Sequence, residues 1–263
     1  MVDTQQLVDP MREARRALRP RAAGRDGVIV DDVENIRQAF HAGVRIDQVL
    51  CTPSGRAAAA DLETLGVPVL EVTSRQAREL FGVDRAARVF AVAHPARPRR
   101  LGALRDAQGD LVVLDGVRLV GNIGAIVRTT VALGGSGVVL LDSGLTTVHD
   151  RRLIRASRGL VFRVPVVLST AEALLAFCQD QGIRVVAGSA RAGADVMTLS
   201  RVPGRMAMVL GGERHGCSTL VEEQAAGRVR IATTGRVESL NVSVAAGIML
   251  NVRSRRNLAC RGA

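Results

Sequence analysis

At 263 residues with 47% hydrophobic side chains, the chain can bury one or two sizeable cores, and its length favours about two domains. No apolar run approaches the roughly 20 residues of a membrane helix, and the start MVDTQQLVDPMREARRALRP lacks the apolar core of a signal peptide, so a soluble cytoplasmic protein without membrane contact is expected. The net charge of +11 points to a polyanionic partner; all 36 basic residues are arginine, and an aromatic content of 2%, all Phe, argues against a base-stacking platform. Recognition by phosphate contacts is what remains. The four cysteines are isolated, with no Cys-x-x-Cys and no histidine at ligand spacing, so no metal site and no disulfide framework is expected.

Residues 1–26 form a basic N-terminal arm with a helical pattern over 11–18; a solvated tail and an RNA-contacting extension both fit it. Residues 27–93 read as a small α/β domain. Val28 to Val30 is extended, Val33, Ile36 and Phe40 have helical spacing, and 46–51 is extended again. A second round follows: helix 57–65, strand 67–72, helix 74–80, strand 87–93. Residues 94–107, with two prolines among arginines, break the pattern and read as a stiffened linker. From 108 to 263 short apolar strands at 111–114, 137–141, 164–168, 183–187, 206–210 and 228–231 alternate with helices at 123–133, 150–157, 171–181, 218–226 and 240–256. That alternation implies a mainly parallel sheet covered on both faces.

Three strand-to-helix junctions carry the chemistry. In LVVLDGVRLVGNIGAIVRTT, residues 111–130, a buried strand stops at a glycine loop and restarts as a helix. Gly116 and Gly121 have phosphate-loop spacing, but Asn122 and Ile123 stand where that loop needs Lys and Ser/Thr, and no Gly-x-Gly-x-x-Gly occurs at any junction. Both nucleotide-loop readings fail. The unusual residues left are Asn122 at the helix start and Arg128 six residues later. By themselves these also fit a helix N-cap and a snorkelling arginine. MAMVLGGERHGCS, residues 206–218, runs a second buried strand into a glycine loop with Glu213. IATTGRVESLNVSVAAGIML, residues 231–250, is a strand end, a polar loop and a long apolar helix; ESLNVS also suits a helix cap.

Taken in order, NIGAIVRT, LGGERHG and ESLNVSVAAGI resemble the three signature motifs of the SpoU (TrmH-like) branch of the SPOUT RNA methyltransferases, over roughly residues 108–256. The first motif and DRRLIRASRGLVFRVPVVL, residues 150–168, resemble more narrowly the thiostrepton- and nosiheptide-resistance 23S rRNA methyltransferases. The resemblance implies a C-terminal α/β domain with a deep trefoil knot, preceded by a ribosomal-protein-like RNA-binding domain, in a homodimer. It implies S-adenosylmethionine as cofactor and 23S rRNA as substrate. The expected reaction is 2′-O-methylation of an adenosine in the region that binds ribosomal protein L11 and thiopeptides, conferring resistance. Alternatives are a SpoU enzyme for another ribosomal or transfer RNA site, and a non-catalytic RNA-binding or assembly protein.

By the same resemblance Asn122, Arg128, Arg158, Glu213, Ser239 and Asn241 are expected at the catalytic site. Gly188, Leu210, Gly211, Gly212, Ile231, Ser239, Leu240 and Asn241 are expected around the cofactor, with the two glycine turns and the third loop converging on one pocket. Two departures stand out: Gly211-Gly212-Glu213 where Gly-Ser-Glu is common, and Ile231-Ala232-Thr233 where Ile-Pro-Met is common. The first removes a hydroxyl and the second a stiffening proline, which bears on cofactor affinity.

Overall fold

The computed structural model describes residues 10–18, 27–82, 86–213 and 215–259, with side chains to 254. The chain divides into two compact units, Met1–Arg97 and Pro98–Ala263.

In the first unit, strands β1 (Val28–Asp31), β2 (Arg45–Cys51), β3 (Val69–Glu71) and β4 (Val89–His94) form a sheet in the order β1-β4-β2-β3. β4 runs antiparallel to both neighbours, while β2 and β3 are parallel. Helices α2 (Val33–His41), α3 (Arg56–Glu63) and α4 (Ser74–Phe81) connect the strands. α4 is closed by a reciprocal cap between Thr73 and Gln76. Helix α1 (Pro10–Ala17) belongs to this unit: Met11 and Ala14 are fully buried in a core with Ile29, Leu50, Phe90 and Val92. The solvated-arm reading is therefore corrected for this helix, because an arginine-rich surface hides an apolar stripe at 11 and 14. The rest of the arm, and Cys260, lie outside the described residues.

The second unit is built on seven strands, all paired in parallel, in the order β7-β6-β5-β10-β8-β11-β9. They are β5 (Leu111–Asp115), β6 (Gly137–Leu141), β7 (Val166–Ser169), β8 (Arg184–Gly188), β9 (Ala194–Asp195), β10 (Met206–Gly211) and β11 (Arg228–Arg230). Every residue of β5 and β6 is buried, the pattern of strands covered on both faces. One face packs Val113, Val139, Val185 and Val209 against α7 (Ala171–Asp180) and α8 (Thr219–Gln224). Helices α5 (Val120–Ala132), α6 (Arg151–Ala156) and α9 (Val242–Ala259) pack together around α5, with buried Ile123, Ile126, Leu153 and Met249. The segment read as a stiffened linker contains described structure at both ends. β4 runs to His94, and Leu104, in a short turn of 3-10 helix, is fully buried in the second core.

α9 is fastened at its far end by a buried ion pair. Arg253, 2% exposed, donates from Nε and Nη2 to both oxygens of Asp110, itself 4% exposed, at 2.7 and 2.9 Å. Its other N–H groups reach the carbonyls of Leu199, Val202 and Gly204 at 2.7–2.9 Å, so all five guanidinium donors are used. Asp110 also accepts the backbone N–H of Met206.

Candidate active site

The three motif loops meet at the carboxyl ends of β5 and β10. α5 begins at Val120, three residues earlier than its apolar spacing predicts, with Leu119 as the residue before it. Asn122 therefore lies inside the first turn, and the N-cap reading is corrected. Its side chain is free to point outward: Asn122 Nδ2 donates to Glu213 Oε1 at 3.0 Å, and Asn122 Oδ1 accepts from Asn241 Nδ2 at 3.3 Å. Asn241 Oδ1 in turn accepts from the N–H and hydroxyl of Ser243, at 2.8 and 2.6 Å, and so caps α9. A carboxylate, two carboxamides and a hydroxyl thus form one chain across residues 122, 213, 241 and 243.

Beside this chain lies a cleft of about 430 Å³. Gly188, Leu210, Gly211, Gly212, Ile231, Ser239 and Leu240, all expected around a cofactor, line it, together with Glu213; Asn241 adjoins it in sequence. The first glycine loop does not. Asp115 to Leu119 and Asn122 line a second cavity of about 630 Å³, which shares Gly212, Glu213, His215, Gly216 and Cys217 with the cleft as a common wall. The wall is thin because it is backbone. A Cβ on Gly211 would fall 1.9 Å from the carbonyl carbon of Gly216, and one on Gly212 would fall 2.8 Å from the Gly116 oxygen. The glycine at 212, where a serine was the commoner expectation, leaves that approach open.

Arg128 and Arg158 line neither cavity. Arg128 is exposed, one turn beyond Gly124, where α5 comes so close to α6 that a Cβ would meet Ala156 and Ser157 at 2.4–2.7 Å. Arg158 follows that contact directly, exposed and left-handed at φ 52°. The close α5–α6 crossing at Gly124 thus lies one turn before Arg128 and just before Arg158. Arg128 forms no hydrogen bond or ion pair with the described residues.

Sequence reasoning did not single out Arg191, His215 or Glu238, which line the cleft, nor Arg118 and Asp142, which line the second cavity. The signal for His215 lay within LGGERHG; Asp142, at the end of an apolar strand, had none. Cys217 sits in the shared wall, where burial, with Asp115 and Glu222 nearby, pushes its thiol up from 9.0 to about 12 and disfavours the thiolate a nucleophile needs. Among the described residues no cluster of His, Cys, Asp or Glu could hold a metal, and no helix is long and apolar enough to cross a membrane.

A parallel α/β sheet with glycine loops and a polar relay at its carboxyl edge defines a small-molecule-binding class of site. The profile of the SpoU rRNA Methylase family matches residues 110–251, and that of the thiostrepton-resistance methylase N terminus matches residues 8–107. The chain belongs to the SpoU rRNA methylase family and is an S-adenosylmethionine-dependent RNA methyltransferase. It is 43% identical over 234 residues to a 23S rRNA (adenosine(1067)-2′-O)-methyltransferase of Streptomyces azureus, covering 88% of this chain and 87% of the relative. A Streptomyces laurentii protein of the same description is 40% identical over 257 residues, covering 97% and 93%. The AdoMet-bound rRNA methyltransferase of Sinorhizobium meliloti superposes with a TM-score of 0.75 at 27% identity, covering 96% of each chain.

The cleft fits that cofactor. Glu213, Glu222 and Glu238 offer carboxylates to a sulfonium cation, Arg191 offers a guanidinium to an amino-acid carboxylate, and Leu210, Val229, Leu240 and Met249 give apolar surface for an adenine ring.

Proposed function

We propose that the protein methylates the 2′-hydroxyl of an adenosine in 23S rRNA, in the cytoplasm, within the region that binds L11 and thiopeptides, and so confers thiopeptide resistance. The observation that carries the reading is the Glu213–Asn122–Asn241 chain at the rim of the cleft, which gives three distant loops one polar edge. The full-length likeness to two adenosine 2′-O-methyltransferases supports the choice of nucleoside. A methyl on a ribose in a tight drug site excludes the drug sterically while adding no charge.

When bound, S-adenosylmethionine supplies an activated methyl on a sulfonium. The protein must place a 2′-oxygen in line with it and stabilise that oxygen as its proton leaves. Asn122 and Asn241 orient the acceptor ribose, Glu213 holds Asn122, and Ser239 and Leu240 hold the cofactor. Arg128 stabilises the developing alkoxide electrostatically. A guanidinium stays protonated, so an RNA phosphate or water takes the proton. Arg158 binds the target phosphate.

In this reading the enzyme is a homodimer, with Leu119 and Val244, apolar and exposed at the starts of α5 and α9, covered by a second copy. Arg128 and Arg158 then serve the partner's cleft, which accounts for their distance from the cavities of their own chain. The second unit carries a deep trefoil knot formed by the C-terminal segment; the insertion of β10 between β5 and β8 supports it. The 27–93 unit acts as a ribosomal-protein-like RNA-binding domain.

Methyl transfer from radiolabelled S-adenosylmethionine to a transcript of that ribosomal RNA domain, beside transfer RNA, tests the proposal. Label in the ribosomal transcript, lost in Arg128→Ala, is expected. Label only in transfer RNA overturns the target.

A further inference from the structure

Gly116, Arg118, Leu119, Asn122 and Asp142 line the second cavity and not the cofactor cleft. The cavity opens at the carboxyl ends of β5, β6 and β10, where crevices of open parallel sheets bind ligands, and its size lies in the range of about 300–1,000 Å³ usual for small-molecule sites. We propose that it is the acceptor-nucleoside site, taking the target adenosine flipped out of the RNA, with the ribose at Asn122 and Glu213 and the base on the Arg118–Asp142 pair. This rests on the methyl-transfer reading above and adds where the acceptor sits and what reads its base.

Three observations converge. The cavity shares the 212–217 wall with the cofactor cleft, and Glu213 and His215 line both, so donor and acceptor atoms can meet at that rim. Arg118 Nη2 donates to Asp142 Oδ2 at 2.7 Å, yet the side chains are 66% and 70% exposed. An ion pair so open contributes little to stability, so its placement in the cavity needs another reason. The third observation is polarity. Adenine shows a donor, N6–H₂, beside an acceptor, N7, on one edge, matching a carboxylate beside a guanidinium; guanine shows two acceptors there and would set O6 against Asp142.

The test uses the full-length protein with two variants that leave its core untouched, Arg118→Ala and Asp142→Asn. Asp142 has φ 45°, a conformation that asparagine also adopts readily. Each variant is expected to lower kcat/KM on the methylated RNA about tenfold. S-adenosylmethionine affinity by calorimetry and the melting midpoint should stay at their original values. Asp142→Asn should also narrow the preference for adenosine over guanosine at the target position. In parallel, 8-azidoadenosine at the target position of whichever RNA the protein methylates is photocrosslinked and the peptides are mapped. Crosslinks within 115–122 or at 142 support the site. Unchanged kcat/KM in both variants, or crosslinks confined to other segments, overturn it. Transfer to another RNA defeats the ribosomal target alone, since the crosslink still locates the acceptor; transfer to no RNA defeats the methyl-transfer reading first.

Discussion

The two ends of α9 are both held by side-chain hydrogen bonds to distant parts of the chain, and they are opposite in character. At the start, Asn241 is exposed and reaches Asn122 across 119 residues with one 3.3 Å bond. At the far end Arg253 is buried and saturated, with five donors fixed on Asp110 and three carbonyls. Arg128 on α5, exposed and without a partner among the described residues, is the counterpart of Arg253. A saturated arginine holds a fold; one whose donors are unspent is available to a substrate. Residue type is the same in both, and the difference lies in how many donors the fold has already used.

Breaking the buried end should have the largest effect. Arg253→Ala leaves the Asp110 carboxylate uncompensated in the core, and denaturant unfolding should show a loss of about 3–5 kcal/mol. The exposed arginine should behave in the reverse way. Arg128→Ala should leave the unfolding midpoint unchanged and cost about 10²–10³ in kcat, measured by single-turnover methyl transfer. Mixing it with Asn241→Ala should restore activity if the arginine serves a partner's cleft. Activity of the mixture no higher than that of either variant would place the residue in its own site.

Arg158→Gly sharpens the contrast because the two readouts should move apart. Glycine relieves the left-handed backbone, so stability should rise by up to about 1 kcal/mol while methyl transfer falls. Loss of both would mean that Arg158 is structural. The smallest effect concerns the buried thiols. Burial raises Cys178 to about 11 and Cys217 to about 12 from 9.0. The folded protein keeps these protons where the unfolded chain loses them, so their contribution is full below pH 9 and fades as pH rises towards 11 and 12. Urea midpoints measured from pH 8 to 10.5 should fall less steeply in a Cys178→Ala, Cys217→Ala variant.

The strands of the second unit were legible because they are buried on both faces and so appear as unbroken apolar runs, Leu111–Asp115 and Gly137–Leu141 being the clearest. α5 was read as starting late because Val120 and Gly121 look like loop, although the first helical turn tolerates glycine where no side chain need pack. β9, two residues long, left no periodic signal, and Leu104 was hidden among arginines. In the site, Asn122, Glu213 and Asn241 were legible as motif residues because the order of the three loops is specific. Their mutual hydrogen bonds, and the separation of two cavities, depend on loop paths that no local pattern encodes. Arg253 could not be told from Arg255 and Arg256, since its distinction lies in Asp110, 143 residues away.

The position of β10 also sets an order in time. Its neighbours are β5 and β8, so the middle of the seven-stranded sheet cannot close until residue 211 has left the ribosome. Strands β5, β6 and β7 can pair earlier, which leaves one edge of β5 open while about forty more residues, from Ser169 to Gly211, are made; at several residues per second that wait lasts seconds. An open apolar edge is a template for aggregation. Newly made chains are therefore most vulnerable in that interval, and slowing translation between residues 170 and 211 should cost yield more than slowing it elsewhere.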